Sequence, residues 1–243
     1  MDKKIKWQIV NFDKVSSTND IAQEYSRKKA GQYLIIKAVS QTQGRGRRGR
    51  EWFSPQGNLY FSVLLEFNLK DLGALVIISS LSLWQAIHQI APNTNLKIKW
   101  PNDILLNNAK ISGILLEKGY GKYFIIGIGV NINQSPKLQN QIYPATSLQE
   151  NRIIVSTDEL LNIFLQKFTK NLQKYTQSGI TSLQKEWLNN AKGLGNTIIV
   201  QQEKMSVQGK FIGIEETGAL LLQTVDKIEK ILIGDVFYIE KEK

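Results

Sequence analysis

From Leu59 to Phe67 the sequence alternates strictly. Leu59, Phe61, Val63, Leu65 and Phe67 fall on one side, and Tyr60, Ser62, Leu64 and Glu66 on the other. Successive side chains of a strand point to opposite faces, so this is a strand with one strongly buried face. The long apolar segment Leu72–Ile90 follows and stops before Pro92. Ser79, Ser80, Ser82, Gln85 and His88 interrupt it, so it reads as a helix of buried type and not as a membrane span.

More strands surround this pair. Lys6–Phe12 reads as an edge strand, and Tyr33–Val39 is β-branched and apolar. Leu96, Ile98 and Trp100 alternate with Lys97 and Lys99 until Pro101, which has no N–H for a ladder. Asp103–Leu106 and Ile111–Glu117 flank Asn107-Asn108, a hairpin turn because Asn tolerates the left-handed region. Tyr123–Val130 is the next strand. Ser17 followed by Asp20 predicts a capping box opening a helix that runs to Lys29 and stops at Gly31. Pro136–Glu150 reads as a loop. Thr157 is expected to cap a long helix ended by Gly179, with a short helix over Thr181–Ala191. The fold class is α+β: a mixed, largely antiparallel sheet carrying helices.

Past Gly193 and Gly195 the pattern changes to short strands: Thr197–Val200, Val207–Ile214, Ala219–Gln223 and Ile231–Ile239. Strands at that spacing predict a small β-barrel. The expected domains are 1–192 and 193–243.

The segment between two of these strands is unusual. Residues 44–50 read Gly-Arg-Gly-Arg-Arg-Gly-Arg, followed by Glu51-Trp52-Phe53-Ser54-Pro55. Glycine lets backbone N–H groups close on an anion, and guanidinium forks grip phosphate or carboxylate. The chain carries a net charge of +10, and from Arg27 to Arg50 there are eight basic residues and no acidic one. Such a field attracts nucleotides, nucleic acid or an acidic protein. The sequence has no cysteine, so disulfides, thiolate zinc sites and a cysteine nucleophile are excluded. His88 is the only histidine and sits in the buried-type helix, where a structural role is expected. No apolar leader stands at Met1–Trp7, and the expected compartment is the cytoplasm.

Three further motifs stand out: Lys99-Trp100-Pro101-Asn102-Asp103, Lys110-Ile111-Ser112-Gly113-Ile114-Leu115-Leu116-Glu117, and Gly127-Ile128-Gly129-Val130-Asn131-Ile132-Asn133. With the arginine–glycine loop they resemble the biotin protein ligases, over almost the whole chain. The resemblance implies a catalytic domain related to class II aminoacyl-tRNA synthetases and a small SH3-like C-terminal domain. It implies a monofunctional enzyme, since the first strand begins within ten residues and leaves no room for a DNA-binding winged helix. No DNA and no membrane are expected as partners, and homodimerisation is left open.

The implied reaction activates biotin with ATP and Mg²⁺ to biotinoyl-5′-AMP, then transfers biotin to a lysine of a biotin carboxyl carrier protein. By resemblance, Ser17, Thr18, Asn19, Gln41, Gly44 and Gly113 bind biotin. Arg45, Arg47 and Lys110 lie at the carboxylate–phosphate junction, Arg48 and Arg50 face the triphosphate, and Trp52 packs on the adenylate. Asn102 and Asn131 read the adenine or phosphate region, and Asp103 positions or deprotonates the incoming lysine.

Plainer readings exist for several of these. Trp52 fits a core residue, Ser17 a simple cap, Gln41 a solvated strand end, and Asp103 an ion pair with Lys99. Gly127 and Gly129 fit close strand packing. The rival functions are a lipoate–protein ligase, which lacks support from any glycine run with a following histidine, and a basic nucleic-acid-binding protein. A biotin-responsive repressor would need the missing N-terminal domain.

Overall fold

The computed structural model describes residues 5–31, 33–67, 72–136, 144–203 and 205–238. Residues 1–4, residues 137–143 of the predicted 136–150 loop and Ile239 of the last predicted strand lie outside them.

Seven strands form the larger sheet: β1 (Gln8–Val15), β2 (Leu34–Gln41), β3 (Leu59–Glu66), β4 (Leu96–Lys99), β5 (Asp103–Leu106), β6 (Ala109–Lys118) and β7 (Tyr123–Val130), in the order β1-β2-β3-β7-β6-β5-β4. Only β1–β2 is parallel. Helix α1 (Thr18–Arg27) packs against β2, β3 and β7, and α2 (Leu72–Ile90), α3 (Thr157–Ser178) and α4 (Thr181–Asn189) complete this part. A second sheet orders β8 (Thr197–Gln201), β9 (Ser206–Ile214), β10 (Leu220–Gln223), β11 (Ile228–Ile231) and β12 (Asp235–Tyr238) as β11-β10-β9-β8-β12. The α+β expectation holds, and β1 is an edge strand as read, shifted two residues later at its start.

The alternation of β3 has a different meaning from the one expected. Every residue from Leu59 to Leu65 is buried. Leu59, Phe61, Val63 and Leu65 join the main core with α2 and α3, while Leu64 joins a smaller cluster with Ile36, Ile125 and α1's Ala22. A central strand with helices on both faces has no solvent side. Helix α2 is the core of the larger unit: eleven of its residues are buried, although its length and hydropathy alone would suit a span. Its serines do not weaken that face. Ser79, Ser80 and Ser82 each donate to the carbonyl four residues back, which satisfies the hydroxyl within the helix.

Local signals worked where one residue decides the geometry. Asn107 and Asn108 both have positive φ in the β5–β6 turn, and Gly179 caps α3 with φ of 73°. Elsewhere they misled. Ser156, not Thr157, caps α3, its hydroxyl accepting from the Glu159 amide. Helix α4 stops at Asn189 because Ala191 is taken by a bridge to Ile98. The predicted strand Ile231–Ile239 is two strands, since Leu232 and Ile233 turn out into solvent between β11 and β12.

The second sheet is fastened to the first unit by polar and steric contacts. Trp100 Nε1 donates to the Gly218 carbonyl at 2.9 Å, Gln184 donates to the Ile214 carbonyl, and Gly73 meets Thr217 so closely that no side chain fits there. Trp7, Trp84 and Trp187 are packing residues with satisfied indole N–H groups. His88 stacks on Trp84 at 4.6 Å.

Candidate active site

A cavity of about 560 Å³ opens between the two sheets. Of the residues the sequence singled out, all but Gly44 and Arg48 line it. Its floor is made by what the strands lack. Gly113 of β6 and Gly129 of β7 are register partners, and a Cβ on Gly129 would overlap the Trp52 indole. Gly127 leaves room for the Asn19 side chain in the same way. These glycines therefore serve close side-chain packing at the cavity wall.

At one end, buried polar groups form a closed chain. Ser17 caps α1, accepting from the Asn19 amide at 3.3 Å. Gln41 Oε1 accepts from the Thr18 amide and hydroxyl, and its Nε2 donates to Ser54 Oγ, which donates to the Trp52 carbonyl. Buried Ser62 donates to Asn19 Oδ1 at 2.6 Å and touches Thr18 Oγ1 at 2.8 Å. Thus the half-buried Gln41 side chain is held at both its oxygen and its nitrogen and is not a free strand end. Gly44 sits behind this wall: a Cβ there would overlap Ser54 Oγ.

The predicted capping box does not close. Asp20 accepts from Ser16 Oγ and from Arg45 Nη1 at 2.7 Å instead of reaching the Ser17 amide. Glu117 takes Arg45 Nε and Nη2 at 3.2 and 3.0 Å and also accepts from Asn19 Nδ2. Arg45 is held by two carboxylates, which raise its pKa against the opposing effect of burial. It anchors the loop.

Arg47 differs. Among the described residues no carboxylate lies within ion-pair distance; its Nη1 donates to Asn102 Oδ1 at 3.3 Å. Burial lowers its pKa, with Asp235 and Asp103 acting in the other direction. Arg48, at φ 56°, and Arg50 turn to Asp235 at the start of β12. These arginines hold the Asp235 carboxyl below the usual range, although burial acts the other way.

Lys110 Nζ pairs with Asp103 at 2.7 Å and lies 5.4 Å from the Trp52 ring. Lys99 is the register partner of Asp103 across β4 and β5, and the Asp103 carboxylate acts on it electrostatically, so Asp103 lies between two lysines. Lys110 and Gly113 are three apart yet face the same cavity. The β5–β6 register shifts between Ile104 and Leu105, and such a bulge re-aims a side chain. Lys99 is only 3% exposed, and burial pulls its pKa down to about 7. Asn131 lines the cavity but its Nδ2 donates to the Thr146 carbonyl, so it also ties down the loop before α3. Trp52 Nε1 is buried with no hydrogen-bond partner among the described residues.

The sequence reading missed Asp20, Ser54, Ser62, Lys99, Glu117 and Asp235 as site residues. Glu117 and Lys99 stood inside motifs already noted. Nothing near Asp235 in the sequence pointed to the loop.

The sequence pattern of the Biotin/lipoate A/B protein ligase family matches residues 12–133, and that of the biotin protein ligase C-terminal domain matches residues 193–238. The chain belongs to the biotin protein ligase family. Among its relatives, the biotin–[acetyl-CoA-carboxylase] ligase of Paracoccus denitrificans is 33% identical over 93% of this chain and 98% of that protein. The bifunctional ligase/repressor of Bacillus spizizenii is 33% identical over 94% of this chain and 73% of that protein. A solved biotin protein ligase from Aquifex aeolicus, in complex with biotin and ATP, superposes with a TM-score of 0.83 at 30% identity, covering 94% of this chain and 97% of that one. In a biotin protein ligase the second sheet is the SH3-like C-terminal domain, and the fold is the one expected.

Proposed function

We propose that this chain activates biotin with ATP and transfers the acyl group to a lysine of a carrier domain. The observation that carries this is one cavity with a closed polar wall and glycine floor at one end, an arginine cluster at the other, and Arg47 with Lys110 between them. Residues 1–192 act as the catalytic unit and 193–243 as an accessory domain; the separate sheets support that division.

In the first step a carboxylate oxygen of biotin attacks the α-phosphorus of ATP and pyrophosphate leaves. Anion meets anion, so fixed cations must offset the charge that develops. Arg47 and Lys110 do this. Arg45, already matched by Asp20 and Glu117, orders the loop. The wall formed by Ser17, Thr18, Asn19 and Gln41 hydrogen-bonds the ureido ring. Trp52 covers the junction and excludes water. Arg50, Asn102 and Asn131 flank the nucleotide end. In the second step the carrier lysine nitrogen attacks the acyl carbon, loses its proton and expels AMP; Asp103 faces that position and orients the amine. Mg²⁺ enters with the nucleotide. Among the described residues no three His, Cys, Asp or Glu side chains cluster to cage a metal, and no step is assigned to the ion. Action in the cytoplasm on a carboxylase carrier domain completes the reading.

ATP–pyrophosphate exchange with biotin, with lipoate or with no acid tests it. Exchange with biotin alone is expected. Exchange with lipoate alone reassigns the substrate, and none with either acid overturns the proposal.

A further inference from the structure

Ser62 stands in the middle of β3 and is fully buried. Every other residue from Leu59 to Leu65 is aliphatic or aromatic. A hydroxyl in such a place is costly unless it is paired. Its partners are two α1 residues of the polar wall, Asn19 Oδ1 at 2.6 Å and Thr18 Oγ1 at 2.8 Å. We infer that Ser62 is a positioning residue for recognition of the acid: it takes the Thr18 hydroxyl proton, so that Thr18 meets the ligand as an acceptor. This rests on the function proposed above.

The argument is a count of protons. Asn19 Nδ2 faces Glu117 Oε2 at 2.7 Å. The Glu117 carboxylate, paired with Arg45, can only accept, so the amide nitrogen belongs there and Oδ1 belongs on Ser62. That oxygen also can only accept, and it takes the single Ser62 proton. Two hydroxyl oxygens 2.8 Å apart need a proton between them, and the Thr18 proton is the one left. Gln41 Oε1 competes for it at 3.2 Å, a longer contact to an oxygen that already takes the Thr18 amide at 2.8 Å. Thr18 Oγ1 is left with lone pairs alone. The order runs Arg45, Glu117, Asn19, Ser62, Thr18, so a charge pair on the loop fixes the polarity of a neutral wall.

Ser17 has the opposite polarity. Its oxygen accepts from the Asn19 amide at 3.3 Å, and among the described residues its own proton has no acceptor. The wall thus offers a donor at Ser17 beside an acceptor at Thr18, and both line the cavity. A cyclic urea carries the complement, a carbonyl oxygen next to a ring N–H. A ring with oxygen in place of that N–H would set lone pairs against lone pairs at Thr18.

The test measures acid binding by calorimetry without nucleotide, and acid-dependent ATP–pyrophosphate exchange, for wild type, Ser62→Ala and Ser62→Cys. The acids are biotin and the two analogues in which one or the other ring N–H is replaced by oxygen. Wild type should prefer biotin over one analogue by at least about 10²-fold, since a site built for an N–H rejects a ligand without it. In Ser62→Ala the Thr18 proton is free to turn toward the ligand. Affinity for biotin should fall about tenfold while that for the analogue holds, so the preference shrinks about tenfold, with KM for ATP within about twofold. Ser62→Cys, a weaker partner of similar shape, should fall between. Equal loss for biotin and the analogue makes Ser62 a packing residue and overturns the inference, and so does an unchanged affinity for biotin. If Ser62→Ala does not fold, Ser62→Cys decides by the same ratio. If wild type neither binds biotin nor exchanges with it, the function proposal fails and the inference falls with it.

Discussion

At one end of the arginine–glycine loop, Arg45 is gripped by Asp20 and Glu117 of the larger unit; at the other, Arg48 and Arg50 share the single carboxylate of Asp235 from the SH3-like domain. The first end has more negative than positive charge and the second the reverse. An overmatched guanidinium is a fastener, because a ligand anion gains little from it. An undermatched pair is a receptor. The same residue type thus does opposite work three to five positions apart, and the difference is set by which acids the fold brings near. Among the described residues Arg47, between the ends, meets Asn102 and no carboxylate, which is why the proposed function gives it the chemistry.

Removing that middle residue should have the largest effect. Arg47→Ala leaves both anchors in place and should lower biotin-dependent exchange about 10²–10³-fold, the range for loss of one preorganised transition-state donor. If exchange falls no further than with Arg45→Ala, the two arginines are equivalent and the contrast is lost. Next comes the fastener. Glu117→Gln keeps the shape but weakens the grip on Arg45 and Asn19, and should raise KM for biotin about tenfold with KM for ATP nearly unchanged. The opposite split would show that the two ends are not independent.

Lys99 sharpens the comparison by pH. Its folded pKa, about 7, lies below the ordinary lysine value, with burial as the main cause. Between pH 7 and the unfolded pKa the unfolded chain binds more protons, so this group makes stability rise with pH across that window, by up to about 1.4 kcal/mol per pH unit. Urea unfolding at pH 7 and pH 9 should show the rise in wild type and a flatter profile in Lys99→Met. The smallest effect belongs far from the loop. Ser156→Ala removes the α3 cap and should cost about 1 kcal/mol of stability while leaving the kinetics alone.

Much of the site was legible where chemistry is local. The loop, Lys99–Asp103 and Lys110–Glu117 each concentrate unusual residue types, and the structure gathers them at one cavity. What was illegible depends on long-range placement. Asp20 fits a capping pattern, yet Arg45 outcompetes the Ser17 amide for it. Lys110 reaches the cavity through a register shift that no residue in β6 announces. Asp235 follows the exposed pair Leu232-Ile233, whose apolar character joined two strands into one in the reading and hid the turn. The alternation of β3 was correct as a period and incomplete as burial, since only the α1 layer reveals the second covered face.

The paired glycines of β6 and β7 have a further consequence. Where they face the cavity the sheet is one side chain thinner, and Trp52 fills the gap without a hydrogen bond to its indole nitrogen. The indole is thus placed by packing and by Lys110 beside its ring, next to a wall whose other parts are fixed by hydrogen bonds. On the proposed function, replacing that ring should change which acids are accepted with no change in the strands beneath it.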